Sequence, residues 1–133
     1  MADHQHNPPQ TIEIEQAALG AMMLDPAAID RASATLDPDC FFHVPHRWIF
    51  AVITDLHGRG AAIDQLTLSE ELKLRDQFQE AGGSVYLARL AIEFASAANI
   101  EAHARIILHK ALRREAIETA GGIIEQAREA AVI

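Results

Sequence analysis

Apolar residues along this chain recur at spacings of three and four, separated by short polar breaks, and almost nothing alternates with period two. Ile14, Ala17, Ala18, Ala21 and Met22 mark one face of a first helix beginning just after Pro8-Pro9. Thr11 is its expected N-cap, with Glu13 and Glu15 in the first turn, where carboxylates favour the helix dipole. Asp25-Pro26 supplies an N-cap and a first helical position for a short second helix reaching about Ala34. Beyond a turn at Leu36-Asp37-Pro38, Phe41 and Phe42 read as apolar anchors. Pro45 then opens a third helix with Ile49, Val52, Ile53 and Leu56 buried, ended by Gly58 and Gly60. Thr67 and Glu70 fit a capping box for a fourth helix, with Leu68, Leu72 and Leu74 inward. Gly82-Gly83 breaks the chain, and Ser84 is the expected cap of a fifth helix carrying Tyr86, Leu87, Leu90 and Ala91. A polar gap around Ser96 and Asn99 precedes the longest periodic stretch: Ile100, Ala104, Ile107, Leu108, Ala111 and Leu112, continued by Ile117, Ile124 and Ala127. Gly121-Gly122 interrupts it at a cost of about 1 kcal/mol per glycine, which predicts a kink or an end there.

The predicted fold is all-α: a compact head of about five helices over residues 9–97, then a long C-terminal helix over 98–133. Residues 1–8 read as a disordered polar tail. Composition agrees with this. Alanine fills 25 positions and valine four, and 133 residues match the usual size of one domain, ~100–150 residues. No apolar run approaches the ~18 residues of a membrane span. The N-terminus lacks the basic and apolar regions of a secretory signal. Cys40 is the only cysteine, so no intramolecular disulfide can form, which fits a cytoplasmic protein. A formal charge of −8 argues against tight non-specific binding to nucleic acid, which needs clustered cations.

Catalytic patterns are missing from the sequence. There is no G-x-x-x-x-G-K-[ST], no G-x-G-x-x-G after a strand, no G-x-S-x-G and no H-E-x-x-H, so neither catalysis nor a bound cofactor or metal is expected. His43 and His46 flank Pro45 without a cysteine pair or acidic triad, and read as packing or capping residues. Cys40, beside Phe41 and Phe42 and near Asp37 and Asp39, reads as buried filler. The one local basic excess is Arg105, His109 and Arg113 at i, i+4 and i+8, with Lys110 and Arg114 beside them. A solvated face is its ordinary explanation, and a docking face for an acidic partner or a neighbouring subunit the sharper one. Ile92, Phe94 and Ile100 flank the break before the long helix as candidate apolar anchors. Phe94 either plugs the core or serves a homotypic contact, since interface cores favour aromatics. The candidate interaction surface is therefore Ile92, Phe94, Ile100, Arg105, His109 and Arg113.

The order of motifs carries a resemblance. It runs through Ile12-Glu13-Ile14-Glu15-Gln16, Leu19-Gly20, Met23-Leu24-Asp25, Phe41-Phe42, His46-Arg47-Trp48-Ile49-Phe50, and Ile63-Asp64 before Thr67-Leu68. It closes with Gly82-Gly83, Tyr86-Leu87, Leu90 and Ala97-Ala98-Asn99-Ile100. In this order and spacing, residues 8 to 127 resemble the N-terminal domain of DnaB-type bacterial replicative helicases. Ala21, where relatives often carry a second glycine, and Trp48, where smaller or polar residues are common, depart from the pattern without breaking a helix. The resemblance implies a non-catalytic assembly and interaction domain: a helical head followed by a helical hairpin, of which the long helix would be the first arm. It implies homodimers forming a collar on a hexameric ring, a docking surface for primase, and ATP and magnesium used only by a separate motor. It implies no direct nucleic-acid contact and no membrane. On this reading the chain is an excerpt of a larger helicase, with a stand-alone paralogue as the alternative. The rival function is a helical nucleic-acid-binding module using the basic face of the long helix.

Overall fold

α1 (Pro9–Leu24) lies at the centre, touching every helix named below except α4, because its sequence is apolar or small on several sides. Thr11, Glu15, Gln16, Ala18, Leu19, Ala21 and Met22 are all buried, so burial wraps round the helix instead of following one stripe. The computed structural model describes residues 9–132, and the expected disordered tail over 1–8 lies outside the described residues. Thr11 falls inside α1 and is not its N-cap.

Asp25 caps α2 (Pro26–Ser33) by accepting the Ala27 N–H at 3.0 Å, with Pro26 at the first helical position. A 3-10 turn (Pro38–Cys40) leads into α3 (Val44–Gly58). His43 occupies the N-cap of α3 but makes no side-chain capping bond, so the capping reading does not hold for it. α4 (Gln65–Leu74) begins one turn earlier than expected. Its capping box pairs Asp64 with Thr67: the Asp64 carboxylate accepts the Thr67 N–H at 2.8 Å and the Thr67 hydroxyl oxygen accepts the Asp64 N–H at 2.9 Å. A carboxylate three residues upstream of a threonine outcompetes threonine as cap. Leu74, expected inward, is 81% exposed.

α5 (Gly83–Glu93) starts from Gly82, not from a Ser84 cap. Gly82 has φ 110°, in the left-handed region, and a Cβ there would meet the Tyr86 ring. α6 (Ile100–Val132) runs through Gly121-Gly122 without a break. The helix does not end there because a cost of about 1 kcal/mol per glycine is outweighed by flanking alanine, glutamate, glutamine and arginine, which favour helix.

Leu19, Met22, Phe41, Ile49, Phe50, Ile53, Leu68, Leu72, Leu87 and Leu90 form the centre of the core. Phe41 and Phe50 meet with ring centroids 5.0 Å apart. Ile100, Ala104 and Ile107 dock the first half of α6 onto α1 and α2. Among the described residues there is no strand.

At Gly20 α1 lies close against the end of α5. A Cβ at this position would lie 2.4 Å from the Phe94 carbonyl oxygen and 2.7 Å from that of Leu90, both backbone atoms. Gly20→Ala is therefore expected to cost at least about 1–3 kcal/mol in urea denaturation, as overpacking does when backbone must move. Gly121→Ala meets nothing within 4 Å and is expected to raise helicity instead. Equal stability of the Gly20 variant and the wild type would contradict the close-approach account.

Candidate interaction surface

The polar centre of the head is built by α1, the 41–43 segment, α3 and α5. Glu15 sits on the same line of α1 as Thr11, Ala18 and Met22, so the helix carries its carboxylate inward, to 1% exposure. One carboxylate oxygen accepts the Phe42 N–H at 2.6 Å. The other accepts the His43 N–H at 3.2 Å and pairs with His46 Nδ1 at 2.7 Å. His46, fully buried on the α3 stripe with Ile49 and Ile53, reaches the Tyr86 hydroxyl through Nε2 at 2.6 Å. Gln16 Nε2 donates to the same hydroxyl at 3.0 Å.

One assignment satisfies the whole chain of bonds. With the histidine proton on Nδ1, His46 donates to Glu15 and its Nε2 accepts from Tyr86, whose oxygen accepts from Gln16. Glu15 is thus not the first-turn dipole carboxylate expected from its place near the helix start; Glu13, exposed, is the one facing solvent. A carboxylate, an imidazole and a hydroxyl in line resemble a catalytic relay, but the electrostatics oppose that use. Burial pushes the Tyr86 phenol above its ordinary 10.0, outweighing the Gln16 hydrogen bond, whereas a nucleophile is activated by a lowered pKa. Burial likewise raises the Cys40 thiol above 9.0, opposed by a backbone hydrogen bond at Asp37 and helped by the Asp37 carboxylate, in keeping with buried filler. His43 is lowered from 6.5 by burial and by His46, partly offset by Glu15. Its ring meets that of His46 edge-on at 4.6 Å. Among the described residues no group of three or more His, Cys, Asp and Glu side chains is placed to hold a metal ion.

The residues singled out from the sequence divide into three groups. Ile92 is 78% exposed and Phe94 half-buried, and both line a cleft of about 290 Å³ with Glu93, Ser96, Asn99 and His103 at the junction of α5 and α6. Phe94 also packs on the core, with its backbone pressed to Gly20, so it both plugs and borders. Ile100 is 2% exposed, a core residue of α6 and no surface anchor, because the helix turns it onto the head. Arg105, His109 and Arg113 all face solvent. Over Ile100–Val132 there are five Lys and Arg side chains and five Glu, so the net negative charge lies in the rest of the chain.

Two features escaped the sequence reading. Arg114, grouped with the basic face, turns inward: it donates to the Cys40 carbonyl at 3.0 Å and lies over the Phe42 ring at 5.2 Å. Beyond Arg114 α6 stands clear of the head, with Ile117, Ile123 and Ile124 about half exposed or more. The signal available for Arg114 was its position, since Ile100, Ala104, Ile107, Ala111 and Arg114 continue one 4-3-4-3 stripe.

The head is thus a helical body held by a structural polar joint, with a helix extending from it. Residues 7–109 match the family model described as DnaB-like helicase N terminal domain, and the chain belongs to that family. The replicative DNA helicase DnaB of Rhodothermus marinus is 47% identical over 107 residues, which are 80% of this chain and 11% of that protein. The crystal structure of the N-terminal domain of DnaB helicase from Mycobacterium tuberculosis superposes with a TM-score of 0.88 at 33% identity, covering 96% of this chain and 91% of that one. A DnaB-like replicative helicase whose structure was described together with its interactions with primase matches with a TM-score of 0.73 at 28% identity, over 87% of this chain and 27% of that one. The chain thus spans a small part of the full-length helicases it matches and corresponds to their N-terminal domain. No helix among the described residues is long and apolar enough to cross a membrane.

The polar joint makes two measurable claims. Tyr86→Phe leaves His46 Nε2 and Gln16 Nε2 without their partner and is expected to cost about 1–3 kcal/mol by urea denaturation. The pH dependence follows from linkage. His43, lowered in the fold, contributes stability present above 6.5 and lost as pH falls through its folded value. Cys40 and Tyr86, raised in the fold, contribute stability intact below 9.0 and 10.0 and lost as pH rises past them. Urea midpoints across pH should therefore show a plateau between about 6.5 and 9 with a fall on either side. A steady decline from 6.5 to 9 would contradict the assignment.

Proposed function

We propose that this chain is the assembly and partner-docking part of a replicative DNA helicase. It pairs with a second copy along the free half of α6 and sits in a collar of such pairs above a hexameric ring. It also offers a docking surface to primase, while ATP and magnesium are used by a separate motor. In this division the head over 9–97 is the rigid body and the long helix over 98–133 is the contact arm.

The observation that carries the reading is residues 115–132 of α6, a free helical stretch about 27 Å long at 1.5 Å per residue. It presents Ile117, Ile123 and Ile124 to solvent, with Leu112 just before them. Few polar helices keep this much isoleucine in water without a partner helix to cover it, and a symmetric pair would use the same strip twice. Family membership supports the helicase context, and the primase interactions described for a related helicase support the docking role. The net charge of −8 over the whole chain disfavours the rival reading, a nucleic-acid-binding module on Arg105, His109 and Arg113.

Sedimentation or light scattering should find dimers at micromolar or higher concentration, and Ile117→Glu with Ile124→Glu should return them to monomer. Monomer alone at crystallisation concentrations would contradict the pairing. The cognate primase should be retained in a pulldown with the chain, and failure with the whole helicase would overturn the docking role. A salt-dependent anisotropy response to single-stranded DNA at sub-micromolar protein would favour the rival module.

A further inference from the structure

We propose that Arg114 is the pivot that sets the direction in which the free half of α6 leaves the head. The contact stripe of α6 is Ile100, Ala104, Ile107, Ala111 and Arg114; the first three are buried, Ala111 packs at the core margin, and Arg114 is half-buried. The stripe ends on a cation because the surface it meets there is not core. It is the rim formed by the 3-10 turn and the residues after it, which display a carbonyl and an aromatic face. The Arg114 guanidinium uses both: one N–H donates to the Cys40 carbonyl oxygen at 3.0 Å, and the planar group lies over the Phe42 ring at 5.2 Å. A guanidinium suits such a mixed site, because it is planar, stacks on aromatic faces and still has donors left for a carbonyl.

The platform under Arg114 is itself fixed. The Phe42 N–H is held at 2.6 Å by Glu15, and Arg47 Nε donates to the Phe41 carbonyl at 2.7 Å. Asp37 holds the turn by accepting the Asp39 N–H at 2.9 Å. Arg114 therefore grips a segment that α1 and α3 already hold from within. After it, every residue of α6 with a described side chain is exposed. Gly121 and Gly122 lie in that stretch with nothing near the positions of their missing Cβ atoms, so no packing compensates their low helix propensity. Arg114 is thus the last fixed point before a lever of about 27 Å, and a small change of angle at the lever's root moves its tip by several ångströms. Arg114 acts through the 40–42 segment as a positioning residue; the use of the arm for pairing rests on the function proposed above, whereas the pivot does not.

The test reads arm direction directly. In a Cys40→Ala background, which keeps the backbone carbonyl, spin labels are placed at Ser33→Cys on α2 and Glu125→Cys on the arm, both exposed positions. Labelled chain is diluted with unlabelled chain so that only distances within one molecule are read. The wild-type arginine should give a narrow distance distribution. Arg114→Met, which keeps the stem and loses donors and charge, should broaden it at least twofold, and Arg114→Lys should fall between. Phe42→Leu, which removes only the stacking face, should broaden it less than Arg114→Met does. Equal widths for wild type and Arg114→Met, with the head folded by circular dichroism, would overturn the proposal. If Arg114→Met fails to fold, an unchanged width in Phe42→Leu would overturn it. Sedimentation of the same variants tests pairing separately, so a failure to dimerise leaves the distance result standing.

Discussion

The Glu15 carboxylate is the constraint on which the rest of the head depends. A buried carboxylate is costly unless each oxygen is supplied with donors, and here the two oxygens take the Phe42 N–H, the His43 N–H and His46 Nδ1. Those donors come from a loop and a helix that share no sequence neighbourhood with α1. Satisfying one side chain therefore fixes the 41–43 segment and α3 relative to α1. Through His46 the constraint reaches Tyr86 on α5, and through the held 40–42 segment it reaches Arg114 on α6. Apolar packing supplies the bulk of the driving force, but it is non-directional. The joint at Glu15 adds direction, tying the 41–43 segment and α3 to one place on α1.

That arrangement suits the proposed division of labour. A subunit that joins others needs a body whose helices do not slide and a surface whose direction is defined. The head meets the first need with a fully hydrogen-bonded polar joint inside an apolar shell. The second is met by a helix docked for half its length and free for the rest. The arm itself, residues 115–132, carries Glu115, Glu118, Glu125 and Glu129 against Arg128 alone, so pairing along it relies on the exposed isoleucines to offset like-charge repulsion.

Much of the helical architecture was legible in the sequence, because apolar spacing and turn residues act locally. Asp25-Pro26 set the start of α2 as expected, and the stripe Ile49, Val52, Ile53 and Leu56 is buried as α3 requires. Helix starts were read less well where two caps competed, as at Asp64 against Thr67 and Gly82 against Ser84. The polar joint escaped for a different reason. Glu15 and Arg114 each occupy a place on an apolar stripe, where charged residues are ordinarily read as surface, and His46, buried as its packing reading expects, gave no sign of its partners. Their partners lie 27, 31 and 74 residues away in sequence, and no local pattern encodes a contact at that separation. A charged residue on a helix's buried line is nevertheless a readable signal, since it must find a partner there. Gly121-Gly122 misled in the opposite sense, because a local cost was weighed without the favourable residues around it. Of the candidate surface, the exposure of Ile92, Arg105, His109 and Arg113 follows from helical phase, whereas the burial of Ile100 depends on how α6 is laid against the head.

The unfolding free energy of Glu15→Gln tests the central claim most directly. Glutamine keeps the shape but turns an amide N–H₂ toward groups that are themselves donors, and it removes the negative charge that strengthens their hydrogen bonds. A loss of about 1–3 kcal/mol is predicted, as when buried donors are left without their acceptor. Backbone amides of Phe42 and His43 should at the same time lose protection from hydrogen exchange. A loss below about 1 kcal/mol, within the range of ordinary surface substitutions and small adjustments, with both amides still protected, would contradict the account.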